Sequence, residues 1–484
     1  MKTNRDLTSG PIASTLLVFA LPILAGNVLQ SLNGSVNAMW VGRFLGEQAL
    51  TATANANNIM FFLIGAVFGV GMAATILVGQ AMGAKNSVLA KQVIGTSATF
   101  FFAVSIGIAL LGMPLSRHIL VWMSTPHAAL EMAEAYLRII FMAVPFLYMF
   151  SFFSAILRGA GDTRTPFIFL LFVVILDIIF NPLLIFGMGP FPEMGIAGSA
   201  MATLIANVIS LIAMILWLRH RRHPLWISRH ENRAFIPNLA ILKSLIVKGV
   251  PMGLQMIVIS LAMIMMISMV NQYGVDLTSA YGAALQLWTY VQMPAMAIGA
   301  ACSSMAAQNV GAGKWDRVDG VAKTGVLFNF LMTGLLIAPI ILLDRFTLSL
   351  FLPEGSPAIE HARHLNHIAV WSFMFFGVNF VVSGVVRATG AVMPPLLILA
   401  FAMWVVRIPF AILLQPTLGA DAIWWSFPIS ALIAMFLSLA YYRYGNWRNA
   451  KMLDTKPQDM ERTVVIPSEV PAQPPSPVGD NTPN

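Results

Sequence analysis

Asp177 is the residue whose type and setting most directly imply chemistry. It stands in the run VVILDIIFNPLLIFG, residues 173–187, with no other charge near it. A carboxylate in hydrocarbon costs several kcal/mol unless it is neutralised or partnered, so such a group marks an ion path. Asn181 lies four residues on and shares its helical face. Pro182 has no amide hydrogen, which frees the carbonyl of Ile178 as a further polar ligand. The plainer alternative is a protonated acid bridging two helices. Asn33 and Asn37 share one face of the first apolar run and join Asp177 and Asn181 as candidate ion-coupling residues.

A second group of residues has the types expected of a binding surface. Thr51, Asn55 and Asn58 recur at helical spacing near the start of the second apolar run. They read as the wall of a hydrated cavity, or else as interhelical hydrogen bonds of about 1 kcal/mol each. In the other half, Tyr281, Leu285, Trp288 and Gln292 form one helical stripe, with Gln286 and Tyr290 beside it; Trp371, Asn379 and Trp404 follow. Aromatic faces attract a desolvated cation by up to about 2 kcal/mol each. An interfacial aromatic belt is the competing explanation. It suits Trp424 and Trp425 but not Trp288, which lies about nine residues, or ~13 Å, inside its run. Tyr281, Trp288, Gln292, Gln286, Asn55, Asn58 and Trp371 are therefore the candidate substrate contacts.

These side chains need a scaffold, and the composition states its kind. The 484 residues are 58% hydrophobic and 10% charged, with a mean hydropathy of +0.78. A soluble domain carries more charge, and apolar runs of about twenty residues, enough to cross a bilayer as helix, recur throughout. The pattern predicts an all-α polytopic membrane protein and excludes the alternating strands of a membrane barrel. The formal charge of +8 does not point to nucleic acid, because the basic residues gather in alternate loops. A single cysteine, Cys302, leaves no disulfide framework and no metal cluster. The first apolar run is too long for a cleaved signal and has no obvious cleavage site, so it is expected to be retained.

Twelve transmembrane helices are expected, near 12–36, 50–80, 92–113, 130–157, 166–187, 196–218, 244–270, 279–307, 320–343, 361–386, 394–414 and 422–444. With the N-terminus inside, the inner segments hold 21 Lys and Arg and the outer loops hold 3, namely Arg43, Arg117 and Arg345. That asymmetry places both termini in the cytoplasm, in an inner or plasma membrane. Residues 219–243, RHRRHPLWISRHENRAFIPNLAILK, are far more polar than their surroundings and divide the chain. The expected organisation is an N-terminal six-helix lobe over 1–225, a cytoplasmic linker over 226–243 and a C-terminal six-helix lobe over 244–450. Residues 451–484, charged and then proline-rich, are expected to form a disordered tail.

The two halves repeat each other. Ala20-Leu-Pro22 returns 229 residues later as Gly249-Val-Pro251. Gly79-Gln80-Ala-Met-Gly83-Ala84 returns as Ala307-Gln308-Asn-Val-Gly311-Ala312, and Leu157-Arg158-Gly-Ala-Gly161 as Val386-Arg387-Ala-Thr-Gly390. Matches in one order and on one side imply two pseudo-symmetric bundles related by an axis along the membrane normal, with a site between them that can open to either side. The segments VGQAMGA, LRGAGDTRTP, NPLLIFG, GIAGSAMAT, YGAALQ and AAQNVGAGKWDR resemble the multidrug and toxic compound extrusion family, over about residues 10–445. The resemblance implies a V-shaped pair of lobes and efflux of organic, mostly cationic compounds against inward proton or sodium flow. It also adds Thr203, in GSAMAT, as a residue facing the acid. In two places the chain departs from the family. Many relatives have N-x-x-x-D-P where this chain has Asp177-x-x-x-Asn181-Pro182, and an acid near the end of the first span where it has Asn37, so one N-lobe carboxylate remains.

No nucleotide-binding lysine loop, zinc motif or nucleophile elbow appears, and Gly69-Val-Gly71 imitates a dinucleotide fingerprint inside a span with no strand before it. Neither an enzyme nor a cofactor is expected; the transported ion takes the cofactor's place. The leading expectation is a monomeric antiporter that exports organic cations or amphipathic drugs, the bilayer and the small-molecule substrate being its partners. The alternatives are a lipid-linked-sugar flippase, which would need several cavity arginines where only Arg407 and Arg138 are evident, and a transport-deficient sensor or scaffold. For the coupling ion, sodium needs several oxygen ligands and compensating charge, whereas a proton needs one acid. With one acid present, proton exchange is expected and sodium is the alternative.

Overall fold

The computed structural model describes residues 6–227, 229–353 and 355–453. The tail expected to be disordered lies outside the described residues from position 454 onward. In hydrocarbon a backbone must bond its own polar groups, and a helix does so within one segment. Every described element is accordingly a helix. The first half contains α1 (Ile12–Leu45), α2 (Glu47–Gly83), α3 (Ser87–Trp122), α4 (His127–Gly159), α5 (Arg164–Ile185) and α6 (Ile196–His220). The second contains α7 (Leu239–Asn271), α8 (Val275–Gly311), α9 (Trp315–Leu342), the short α10 (Asp344–Ser349), α11 (Ala358–Ala369), α12 (Ser372–Arg387), α13 (Met393–Ala400), α14 (Ile408–Leu418) and α15 (Asp421–Tyr444).

Taken as single crossings, α11 with α12 and α13 with α14 bring the total to the expected twelve helices. The tenth crossing is broken, α11 and α12 meeting at a 44° bend. The eleventh is wound more loosely over Phe401–Arg407, a π-helical stretch just before Pro409, whose missing amide hydrogen cannot close an ordinary turn there. Among the described residues nine helices are long and apolar enough to cross a membrane, and the bent pair makes a tenth. The remaining two are α2 and α8. α8 carries the weakly apolar run AIGAACSS (297–304), and α2 is apolar over Val67–Gly83; α2 packs along α7 and α8, and α8 along α1.

The repeat extends to backbone conformation. Gly46 and Gly274, ahead of α2 and α8, have φ of 88° and 92°, and Gly161 and Gly390, after α4 and α12, have φ of 93° and 111°. Side-chain-bearing residues avoid that region, so glycine is retained in both copies.

The buried apolar side chains form three clusters, and their placement gives the molecule its form. One contains Val41, Met60, Tyr136 and Tyr148 of the first half. Another contains Met266, Trp288, Leu365 and Trp424 of the second. The third is shared by both halves and includes Leu16, Ile76 and Leu77 with Ile298, Met305 and Val385. The lobes are thus fused on the side bearing the termini and have separate cores on the far side, which is a V open away from the termini. The segment between lobes is ordered where described. A 3₁₀ stretch at Arg229–Phe235 packs on α3, where Lys91 pairs with Glu231 at 2.6 Å and Thr99 donates to the carbonyl of Phe235 at 2.8 Å. Asn238 caps α7 by accepting from the amides of Ala240 and Ile241, so that helix begins before position 244. The tail's first residues are also held, Met452 being 2% exposed.

Candidate functional site

Asp177 lies on α5 and is fully buried, as is Asn181 one turn later. Helical periodicity on α1 sets Asn33 and Asn37 on one face, and both amides reach the same oxygen, Oδ2 of Asp177, at 2.9 and 2.8 Å. Thr203 of α6 donates to Oδ1 at 3.1 Å. Asn181 donates to Asn37 Oδ1 at 2.9 Å and to the backbone carbonyl of Asp177 at 3.2 Å. The five ion-coupling candidates therefore meet as one cluster across α1, α5 and α6. Every first neighbour of the carboxylate is a neutral donor, and the ion pairs among the described residues all lie elsewhere. Asn33 Oδ1 and Asn181 Oδ1 are buried without a donor, which leaves acceptors beside the acid for a proton or cation to satisfy.

The repeated segments build a second constellation, where the lobes meet. Gln80 of α2 donates to the carbonyl of Ala388 beyond α12 at 2.7 Å. Its repeat partner Gln308 of α8 donates to the carbonyl of Gly159 at the end of α4, at 2.9 Å. The two bonds cross the interface in opposite directions, as a two-fold axis requires. Gln308 Oε1 also accepts from the amide of Leu7. Arg317 donates to the carbonyls of Ser9 and Gly10, both at 2.8 Å. Glycine allows the approach. A Cβ on Gly83 would sit 1.9 Å from the carbonyl oxygen of Gln308, and one on Gly311 2.0 Å from that of Gln80. Gly65 and Gly69 of α2 pack against α7, where a Cβ on Gly69 would fall 2.2 Å from the Gly249 oxygen. Gln80→Leu and Gln308→Leu should each weaken closure by about 1–3 kcal/mol, through a lost bond and an orphaned carbonyl. Faster amide hydrogen exchange over residues 80–84 and 307–312 is the expected readout.

The aromatic candidates are placed differently from the expectation. Tyr281 and Trp288 are each 2% exposed, inside the second lobe's own core. Trp288 Nε1 donates to Asn366 at 2.8 Å, and its ring packs against Tyr281, Phe373 and Phe427. They are corrected to packing residues, because the face that the stripe presents is turned into α11 and α15. Gln286 is exposed on another face of α8, and Gln292, at the end of the stripe itself, is half-buried. Trp371 is 44% exposed and bonds the carbonyl of His367 one turn back. Asn58 is exposed, and Asn55 is half-buried within 3.4 Å of Thr125. Among the described residues, no hydrogen bond or ring contact joins these side chains to Tyr281 or Trp288. Arg407 does not snorkel: it is 6% exposed, bonded to Ser430 at 2.9 Å and set 4.5 Å from the ring centre of Phe427. Trp288→Phe should lower the unfolding temperature by orphaning Asn366, a loss of about 1–3 kcal/mol, with substrate KM unchanged; a raised KM at unaltered stability would return Trp288 to the binding surface. A cavity in the second lobe is lined by Gln255, Asn379, Ser383 and Arg387 among apolar residues. Asn379 stands out in the sequence as a polar group within an apolar run, whereas Arg387 stands out only as the repeat partner of Arg158.

Twelve crossings in two repeated lobes, joined on one side and enclosing a buried acid, define a duplicated polytopic membrane protein. The MatE family model matches residues 22–183 and 251–413, and its second match begins 229 residues after the first, the offset of the repeat. The chain belongs to this family, the multidrug and toxic compound extrusion transporters. It is 37% identical over 432 residues to the probable multidrug resistance protein YoeA of Bacillus subtilis, covering 89% of this chain and 93% of that one. It is 32% identical to the probable multidrug resistance protein YpnP of the same organism, covering 93% and 99%. An FAD transporter of Shewanella oneidensis is 27% identical over 72% of this chain and 77% of its own. Among solved structures, MATE in the bent conformation superposes with a TM-score of 0.83 at 20% identity, covering 90% of this chain and 96% of that one.

Proposed function

We propose that the chain is a monomeric secondary active exporter of organic cations and amphipathic drugs, driven by proton entry through Asp177. One observation carries the coupling step: a fully buried carboxylate whose hydrogen-bond neighbours are all neutral donors and which, among the described residues, makes no ion pair. Such a group is costly when ionised and is relieved by taking up one positive charge. The names of the relatives, probable multidrug resistance proteins, support the substrate class.

In the cycle, the lobes are closed on the side of the termini and Asp177 is reached from the far side. Protonation neutralises the carboxylate and loosens its hold on Asn33 and Asn37, so α1 and α5 repack around Pro182 and substrate leaves. Opening of the Gln80–Gln308 contacts then exposes the site to the side of the termini, where the proton departs and new substrate enters. A sodium ion is the second reading, favoured by the orphaned oxygens of Asn33 and Asn181. The proton is preferred because a sodium ion needs several oxygens turned toward it, while the amides offer Asp177 their nitrogens. Sodium binding requires several amides to flip; protonation requires one group to turn.

The side of the termini is assigned to the cytoplasm of a plasma or inner membrane by the 21-to-3 distribution of basic residues. A cytoplasm-active reporter fused after Tyr444 or within residues 221–238 should give signal at both sites, and silence at either would invert the topology. For the coupling, substrate supplied to the binding face of the reconstituted protein should trigger proton movement in the opposite direction. A trapped pH dye records it, and substrate movement with no dye response would overturn proton exchange.

A further inference from the structure

The last turn of α12 ends at Arg387, at the foot of a cavity of about 60 Å³ walled by α7, α8, α12 and α13 and closed toward the first lobe by Phe68 and Met72 of α2. That is room for a head group of a few heavy atoms, since an enclosed water needs about 10–15 Å³ on the same measure. Arg387 is 5% exposed and Gln255 of α7 is 8% exposed. They touch through one bond, Arg387 Nη1 donating to Gln255 Oε1 at 2.6 Å. That bond occupies the amide's acceptor. Gln255 Nε2 and Arg387 Nε are left buried with no acceptor, and among the described residues no carboxylate pairs with Arg387.

The site therefore has a surplus of one kind of group. Two orphaned donors, one carrying a full positive charge, lie in a pocket whose own acceptors are engaged: Asn379 Oδ1 already accepts from Ser383 and Ser438. Buried donors are satisfied by an acceptor, and a guanidinium is best satisfied by an anionic oxygen pair, which it can bind through two parallel bonds. The remaining walls are apolar and rich in methionine, with Met252, Met256 and Met296 beside the N-lobe's Met72. Methionine is flexible and polarisable and shapes itself to irregular apolar bodies. One end of the cavity thus suits an anionic head and the other a variable apolar body. The other buried arginine of this lobe, Arg407, is held by Ser430 and Phe427 instead and does not line the cavity.

We propose that this cavity binds the carboxylate or phosphate of an amphiphile whose apolar body lies against the methionines. The substrates then include anionic and zwitterionic amphiphiles as well as cations; only the word substrate rests on the proposed export function. Met72 belongs to the first lobe, so the cavity changes shape when the lobes move and its ligand is sensitive to the transport cycle.

The test is equilibrium binding to the full-length protein in nanodiscs, using three single-chain probes of twelve carbons each in the chain, the carboxyl carbon of laurate included: laurate, dodecyl phosphate and dodecyltrimethylammonium. The two anions should bind about ten-fold or more tightly than the cation, as a charge-assisted pair implies. Equal binding of all three would overturn the proposal without any variant. Gln255→Glu places an internal carboxylate against Arg387, so it should weaken laurate by about ten-fold or more while the unfolding temperature holds or rises. Arg387→Gln should lose the same binding and Arg387→Lys should keep part of it. A folded Gln255→Glu protein with undiminished laurate binding would also overturn it. Competition by phosphatidylglycerol in the nanodisc, together with phospholipid phosphate that co-purifies with wild type but not with Gln255→Glu, would identify the occupant as a lipid; their absence would identify a soluble amphiphile. Laurate binding in a protein that exports nothing would refute the export reading alone, and proton-driven export without laurate binding would refute this proposal alone.

Discussion

Asp177→Asn should reduce gradient-driven export to the background of empty vesicles while the protein still folds and inserts. The substituted amide is close in size to a protonated carboxyl and can keep contacts with Asn33, Asn37 and Thr203. What it cannot do is change charge. Because a buried acid disfavours its ionised form, burial alone should make the variant neutral or stabilising. Wild-type transport at equal protein level in Asp177→Asn would remove the acid from the mechanism. Asn181→Asp in the Asp177→Asn background returns the acid to the place it holds in many relatives, and recovery of part of the transport would show that the cluster as a whole, more than the single position, sets the coupling.

The second large effect is expected where backbones touch. Gly83→Val and Gly311→Val should each abolish transport by preventing closure between the lobes, because the obstacle at 1.9 or 2.0 Å is a carbonyl oxygen of the opposite helix. No rotamer change relieves such an overlap. Amide exchange over residues 307–317 should rise in both, reporting release of the contacts made by Gln308 and Arg317. Gly107→Val on α3 is the matched control, since a Cβ there meets nothing within 4 Å. Near-wild-type transport and exchange in Gly83→Val would show that the lobes close by another surface.

Much of this arrangement is legible in the sequence because hydrophobicity and repetition are both read locally. Apolar length gives the crossings, and matched segments at one offset give the two lobes. The face shared by Asn33 and Asn37 follows from helical periodicity, which is why both reach one oxygen of Asp177. Tyr281 and Trp288 show where such reading ends. A stripe of aromatics at helical spacing looks the same whether it faces a cavity or the neighbouring helices, and only the packing of α11 and α15 decides. The breaks in the tenth and eleventh crossings and the inward turn of Gln255 also depend on tertiary contacts. Arg387 stands at a predicted helix end, where arginine ordinarily anchors; its cavity is formed by three other helices of its lobe. Gln80 and Gln308 had a signal in their equivalent positions, and the bonds they make explain why the repeated segments contain glutamine beside glycine.

The claim that proton entry through Asp177 drives export is tested most directly in proteoliposomes loaded with a cationic dye. A pH gradient is imposed in sodium-free buffer, and wild type is compared with Asp177→Asn at equal reconstitution. The account predicts dye movement that follows the pH gradient in wild type, unaffected by added sodium, and no gradient-dependent movement in the variant. Dye movement that appears only when sodium is added, or that persists in Asp177→Asn, would contradict it.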